Sequence, residues 1–163
     1  MTTINSKLKK ITYFVSISIF FLAAVNVNAQ INSLGIAIPT EVAYDNPENG
    51  DTLCSKQGGI VLCTETYDPS ILGVVTTEAS VAFRHEDDEN LPLVISQGNA
   101  IVKVSSQNGN IEVGDLITSS ETAGVGQKAD LNGFVLGMAL EPYQSDDPNA
   151  VGSVYISLNI HPV

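Results

Sequence analysis

The sequence predicts an all-β fold: a small pseudo-symmetric β-barrel or β-sandwich built from two units that each open on a Gly-Asp turn. Three observations carry this expectation. Gly50-Asp51 is followed by a turn-rich stretch and Ile71-Leu72-Gly73-Val74, and Gly114-Asp115 is followed at the same separation by Val135-Leu136-Gly137-Met138. The ungapped offset of 64 residues also sets Val61 on Val125, Asp68 on Asn132 and Pro69 on Gly133. Beyond residue 30 no segment keeps apolar spacing at helical period, and short β-branched runs are separated by Gly, Pro, Asn and Asp. Finally, Gly58-Gly59 and Asn108-Gly109 are strong hairpin dipeptides, because primed turns need positive φ.

Residues 1–29 read as a secretory signal. Lys7, Lys9 and Lys10 precede the apolar run Ile11 to Ala24, and Val27-Asn28-Ala29 offers small side chains for cleavage between Ala29 and Gln30. The run falls short of the roughly 20 residues that span a bilayer. The chain is therefore expected to be secreted, periplasmic or at the cell surface, with no membrane attachment after cleavage. Residues 30–49 form an N-terminal arm and linker, with a short strand or ordered arm at Leu34-Gly35-Ile36-Ala37-Ile38. The domain proper runs 50–163.

In the first unit, a two-residue turn at Gly58-Gly59 sets Gln57 opposite Ile60, Lys56 opposite Val61, Ser55 opposite Leu62 and Cys54 opposite Cys63. That last pair is non-hydrogen-bonded, where Cα atoms approach to roughly 4.5 Å. With two Cys in a secreted chain, the geometry predicts a cross-strand disulfide Cys54–Cys63. Tyr67-Asp68-Pro69-Ser70 is a turn and Ile71 to Val75 a buried strand, and Ser80 to Phe83 a further short run. Arg84 to Asn90 is a charged loop. Leu91 to Ser96 and Ala100 to Ser105 are two strands joined at Gln97-Gly98-Asn99. Asn108-Gly109 then turns Val102-Lys103-Val104 into a hairpin with Ile111-Glu112-Val113. The second unit repeats the first from Leu116-Ile117 to Leu140, and Gly152 to Ile160 is the last strand after the acidic loop Ser145 to Asn149.

The repeated dipeptides have physical roles. Gly50 and Gly114 supply positive φ, while the carboxylates of Asp51 and Asp115 cap backbone N–H groups of the reversing chain. Gly73 and Gly137, inside apolar strands, leave room for close backbone approach at a bulge or barrel corner.

Charge narrows the function. All 18 acidic residues follow Ala29 while three of the seven basic ones precede it, leaving −14 on the mature chain. Such a surface repels nucleic acid and anionic lipid, which are bound through Lys and Arg. Glu86, Asp87, Asp88, Asp146 and Asp147 are the candidate calcium ligands, although Ca²⁺ wants roughly six to eight oxygens and the spacing of a dedicated calcium loop is absent. No other metal and no cofactor is expected. Catalytic machinery is sparse. The histidines are His85 and His161, no G-x-S-x-G or H-E-x-x-H occurs, and Ser105-Ser106 and Ser119-Ser120 read as turn cappers.

The stretch V-K-V-S-S-Q-N-G-N-I-E-V-G-D-L-I-T-S-S-E-T-A-G-V-G-Q-K-A from Val102, followed by G-F-V-L-G-M-A-L-E to Glu141, resembles a known family. It is similar to the β-domain at the C-terminus of phage tail and neck appendage proteins and of large bacterial surface proteins (the peptidase G2 type). Gly50 to Val75 and Ser157 to Pro162 fit the same pattern. The resemblance implies an intramolecular chaperone of trimeric fibres that can cut itself free next to an Asp where the domain begins. It thus implies a homo-oligomer, a trimer, and a surface or fibre protein as partner. Asp51 is the only residue near a matching position for cleavage, and no complete self-cleaving site maps onto this chain. The leading expectation is a secreted, non-catalytic structural or interaction module. The alternatives are a self-processing chaperone domain and an acidic extracellular binder of calcium or another ligand.

Overall fold

The computed structural model describes residues 34–163 except 84–87 and 89; the expected signal at residues 1–29 lies outside the described residues. The described chain is all-β. Its strands are β1 Leu34–Pro39, β2 Thr52–Lys56, β3 Gly59–Leu62, β4 Ile71–Thr76, β5 Val81–Ala82, β6 Leu93–Ser105, β7 Leu116–Ser119, β8 Gly126–Lys128, β9 Phe134–Ala139 and β10 Val151–Pro162. They join in one sheet, antiparallel except for the β1–β5 and β6–β8 pairs.

The sheet is organised around β6. At Leu93–Ile95 this strand has β4 on one edge and β1 on the other, and at Gln97–Ser105 it is paired to β10. Near Val104 it also meets Gly126 of β8. Pairing then runs from β8 to β7, β9 and β10 and back to β6, so this half of the sheet closes on itself. Closure removes open edges, which are templates for unwanted pairing. The β6–β4–β2–β3 path forms the other half.

The two-unit repeat is present in the strand pairing. Leu53 of β2 faces Gly73 of β4, and Ile117 of β7 faces Gly137 of β9, the same pair displaced by 64 residues. Gly50 N donates to Val75 O and Gly114 N to Ala139 O, both at 2.9 Å. Val75 N returns to Asp51 O at 2.9 Å and Ala139 N to Asp115 O at 2.8 Å. Both glycines have the positive φ such a turn requires, 91° and 96°. At Gly137 the reason for glycine is contact. A Cβ there would lie 2.0 Å from Ser157 O, and at Gly73 one would lie 2.7 Å from Ile95 O.

Three local expectations are corrected. The β2–β3 hairpin pairs Lys56 with Gly59, Ser55 with Ile60, Cys54 with Val61 and Leu53 with Leu62, two residues out of the expected register. The turn is Gln57-Gly58, and Gly59, not Gly58, takes positive φ (119°), as in a turn followed by a glycine bulge. The disulfide forms nonetheless. Cys54 and Cys63 are diagonal neighbours with Cα atoms 5.0 Å apart, and Cys63 N donates to Thr52 O at 3.0 Å. Secondly, Gln97-Gly98-Asn99 is no connection. Strand β6 passes through it, because neighbours on both edges hold the backbone extended, and Gly98 absorbs a bend at φ 115°. Thirdly, Asn108-Gly109 makes a turn, with Gly109 N on Ser106 O at 3.0 Å, but no hairpin. Ile111 leaves β6 and bridges Tyr143.

Period-2 alternation divides the core between two faces. Cys54, Val74 and Ile95 point into the main cluster with Val102, Val104, Ile117, Leu136, Val154 and Ile156. Their neighbours Leu53, Val75 and Val94 point the other way and are covered by Val42, Tyr44, Ile60 and Leu62. Residues of the expected arm thus belong to the fold: β1 is a strand of the sheet, and Ala43 N donates to Ile60 O at 2.7 Å.

Candidate functional site

The most concentrated polar cluster surrounds Asp51. The tight turn at Gly50 buries this carboxylate, whose residue is only 5% exposed. Its Oδ2 accepts Glu48 N at 2.9 Å and the Tyr44 hydroxyl at 3.2 Å. Its Oδ1 meets Lys103 Nζ at 2.7 Å, and Lys103 also reaches Glu48 Oε2 at 2.6 Å. Lys103 is delivered from near the C-terminal end of β6, and its backbone N donates to Gly50 O at 3.0 Å. Burial pushes the Tyr44 hydroxyl well above the usual tyrosine range, and the neighbouring Asp51 charge adds to it. Burial would lower Lys103, yet its bonds to Asp51 and Glu48 outweigh that, and its pKa rises. Both groups are therefore proton donors held in place.

Asp115 repeats the arrangement with less cover. Oδ2 accepts Glu112 N at 2.8 Å and pairs with Lys128 at 2.7 Å, and the side chains are 23% and 31% exposed. The Lys128 hydrogen bond is the main reason its carboxyl sits below the usual range.

A third aspartate, Asp68, is fully buried in the turn before β4. Its Oδ1 accepts Ser70 N and Oγ at 2.9 and 2.6 Å, and Oδ2 pairs with Lys56 at 2.7 Å. Burial raises its pKa, but the Lys56 and Ser70 bonds prevail and hold it low. Ser119 Oγ accepts Asp68 N and donates to Glu65 O, tying this turn to β7. Nearby, the Tyr67 hydroxyl donates to Asp130 Oδ1 and accepts the N–H groups of Asp130 and Leu131, at 2.7 to 2.8 Å. Bonds from Asn108 and then Tyr67 keep the Asp130 carboxyl low.

The serines serve similar ends. Ser120 Oγ donates to Val125 O, Ser106 Oγ to Ser145 O, and Ser105 Oγ is buried without a partner. His161 contacts Asn159 O through Nδ1, and His85 lies outside the described residues. No serine is set beside a histidine among these contacts.

Of the calcium candidates, Asp88, Asp146 and Asp147 are described, and none belongs to a group placed to hold a metal ion. Asp147 Oδ1 caps Asn149 N, in a loop where Ser145 Oγ accepts Asp147 N. Asp88 is described and half-buried, while Glu86 and Asp87 lie outside the described residues. Among the described residues no group of three or more His, Cys, Asp or Glu is placed to hold a metal ion. No helix among them is long and apolar enough to cross a membrane. The disulfide suits an oxidising compartment.

Two features escaped sequence reading. The first is cation accounting: Lys56, Lys103 and Lys128, the lysines among the described residues, are each bound to a turn aspartate. The second is an apolar outer face. Ile36 of β1 is registered against Val81 of β5, and Ile38 and Phe83 follow two residues further along the same parallel directions. These four side chains are 46–63% exposed. Ala37, between the two isoleucines, is fully buried. A mixed run such as Leu34 to Pro39 gives no cue to which alternate residues remain outside.

Compared with protein-family models, curated proteins and solved structures, the chain has no match.

Proposed function

We propose that this protein is a secreted, non-catalytic interaction module that serves in an assembly at the cell surface and docks through the β1–β5 face. The observation that carries this reading is the exposed quartet Ile36, Ile38, Val81 and Phe83. Large apolar side chains exposed side by side commonly mark a contact surface. The polar groups support it from the other side. Asp51, Asp68, Asp115 and their lysines cap turns and brace the sheet, which supports a structural role for these carboxylates. The likeness of Val102–Glu141 to appendage and surface-protein domains agrees with such a role, and the N-terminal signal pattern with its address.

Cell fractionation tests the reading. The full chain is expressed in cells of its source organism, beside a Val81→Lys/Phe83→Lys variant. Both substitutions are at exposed positions and leave folding intact. The wild-type chain is expected in the cell-surface fraction and the variant in the medium. Equal partitioning of the two would refute docking through this face.

A further inference from the structure

Building on that docking face, we infer that its occupant is an extended segment of another protein, apolar and basic in alternation, which adds as a strand beside β5. Two observations choose this occupant. The first is which edge is open. Among the described strands β5 pairs with β1 alone and β3 with β2 alone. Strand β3 is shielded: Ala43 N is bonded to Ile60 O, and Val42 and Tyr44 pack with Ile60 and Leu62 against the same Leu53, Val75 and Val94 cluster. Within β5 itself, Val81-Ala82 contains no charge and no proline and both residues are exposed, and among the described strands its second edge is unpaired. An unprotected edge beside alternating apolar side chains is the surface that β-strand addition uses. Main-chain bonds supply affinity there, and the side-chain pockets supply specificity.

The second observation is charge. Every lysine of the described chain is bound to an aspartate, so the surface presents carboxylates without free ammonium groups among the described residues. Exposed Glu41 lies two residues beyond β1, and exposed Glu78 three residues before β5. A second copy of this chain would bring the same excess of carboxylates to the contact, since the mature chain has 18 acidic residues against four basic ones. A strand whose alternate side chains are Lys or Arg would place cations toward Glu41 and Glu78 while its apolar side chains cover Ile36 and Val81. Complementary charge speeds encounter and rejects like-charged partners.

The probe is a capped peptide of alternating valine and lysine, about nine residues long, enough for one strand. Controls are the valine–glutamate analogue and a peptide of the same composition with its valines and lysines in separate blocks. Each is titrated into the ¹⁵N-labelled mature chain, followed by amide shifts and by light scattering. The alternating valine–lysine peptide is expected to saturate, with shifts centred on 36–38 and 81–83. Its affinity should fall about tenfold or more between low and high salt, and about tenfold or more in Val81→Lys/Phe83→Lys. Equal binding of the blocked peptide would reduce the effect to unspecific attraction and overturn the inference. Binding of the glutamate analogue would overturn the charge argument. A light-scattering mass that is a multiple of the monomer, lost in the double variant, makes a second copy the occupant; that overturns the basic partner and retains the docking face. A monomer that binds no peptide, and whose double variant stays on the cell surface, overturns both.

Discussion

Replacing Asp51 and Asp115 by alanine, one at a time, compares one turn in two environments. Each carboxylate caps the N–H three residues before it and pairs with a lysine at 2.7 Å. Asp51 is nearly buried and also accepts the Tyr44 hydroxyl, whereas Asp115 is 23% exposed and has no such third contact. Losing Asp51 deprives two donors of a charged acceptor, at about 1.5–3 kcal/mol per bond. It also leaves Lys103, 22% exposed, with the exposed Glu48 as its remaining partner. Because breaking one partner of a sheltered pair costs about 3–5 kcal/mol and these terms overlap, Asp51→Ala is expected to cost about 4 kcal/mol. For Asp115→Ala, one cap and a partly exposed pair come to about 1–2 kcal/mol. Urea unfolding with the disulfide intact reads both at constant m-value. Asp51→Asn keeps an oxygen for Glu48 N and the Tyr44 hydroxyl but loses the charge and the acceptor that faces Lys103, so it should fall between wild type and Asp51→Ala. Equal losses at the two aspartates, or a larger loss at Asp115, would refute the claim that burial of the Asp51 network sets its contribution.

Further outcomes follow from the same contacts. Gly137→Ala drives a Cβ into Ser157 O and should cost more than about 4 kcal/mol, or prevent folding, while Gly73→Ala costs less; thermal melts of the two rank them. Removing the Cys54–Cys63 bond by paired alanines opens a loop of sequence separation 9 and should cost about 2.5–3 kcal/mol in urea. Asp68 and Asp115 have folded pKa values below their unfolded ones, so their contribution is full above about pH 4 and lost as pH falls through the lower folded values. Tyr44 and Lys103 are raised, so theirs is full below about pH 10 and lost as pH rises further. A stability profile by denaturant at fixed pH steps should show both limbs. Loss of stability starting near neutral pH would contradict it.

Much of the architecture was legible because it depends on short-range chemistry. The 64-residue offset named the Gly50 and Gly114 turns, the capping by Asp51 and Asp115, and the close approaches at Gly73 and Gly137. The Cys54–Cys63 bond was legible even though the register around it was not. Two adjacent glycines permit a turn at Gly58-Gly59 or a turn at Gln57-Gly58 with a bulge at Gly59, and neighbouring strands choose between them. Gln97-Gly98-Asn99 has turn composition, yet long-range pairing on both edges of β6 overrides it. The site itself depends on contacts far apart in the chain. Lys103 meets Asp51 across 52 positions and Tyr67 meets Asp130 across 63, so no local pattern announces either. The β1–β5 face was hidden for another reason. An apolar strand left open on one side has the same composition as one that is covered.

The central proposal is that the turn carboxylates, Asp51 above all, hold the fold together and do not cut the chain. The intact mass of the purified mature protein, followed over days at neutral and mildly acidic pH, tests this most directly. The account predicts one unchanged species in wild type and Asp51→Asn alike. A fragment ending or beginning at Asp51 that accumulates in wild type and is absent from Asp51→Asn would contradict it.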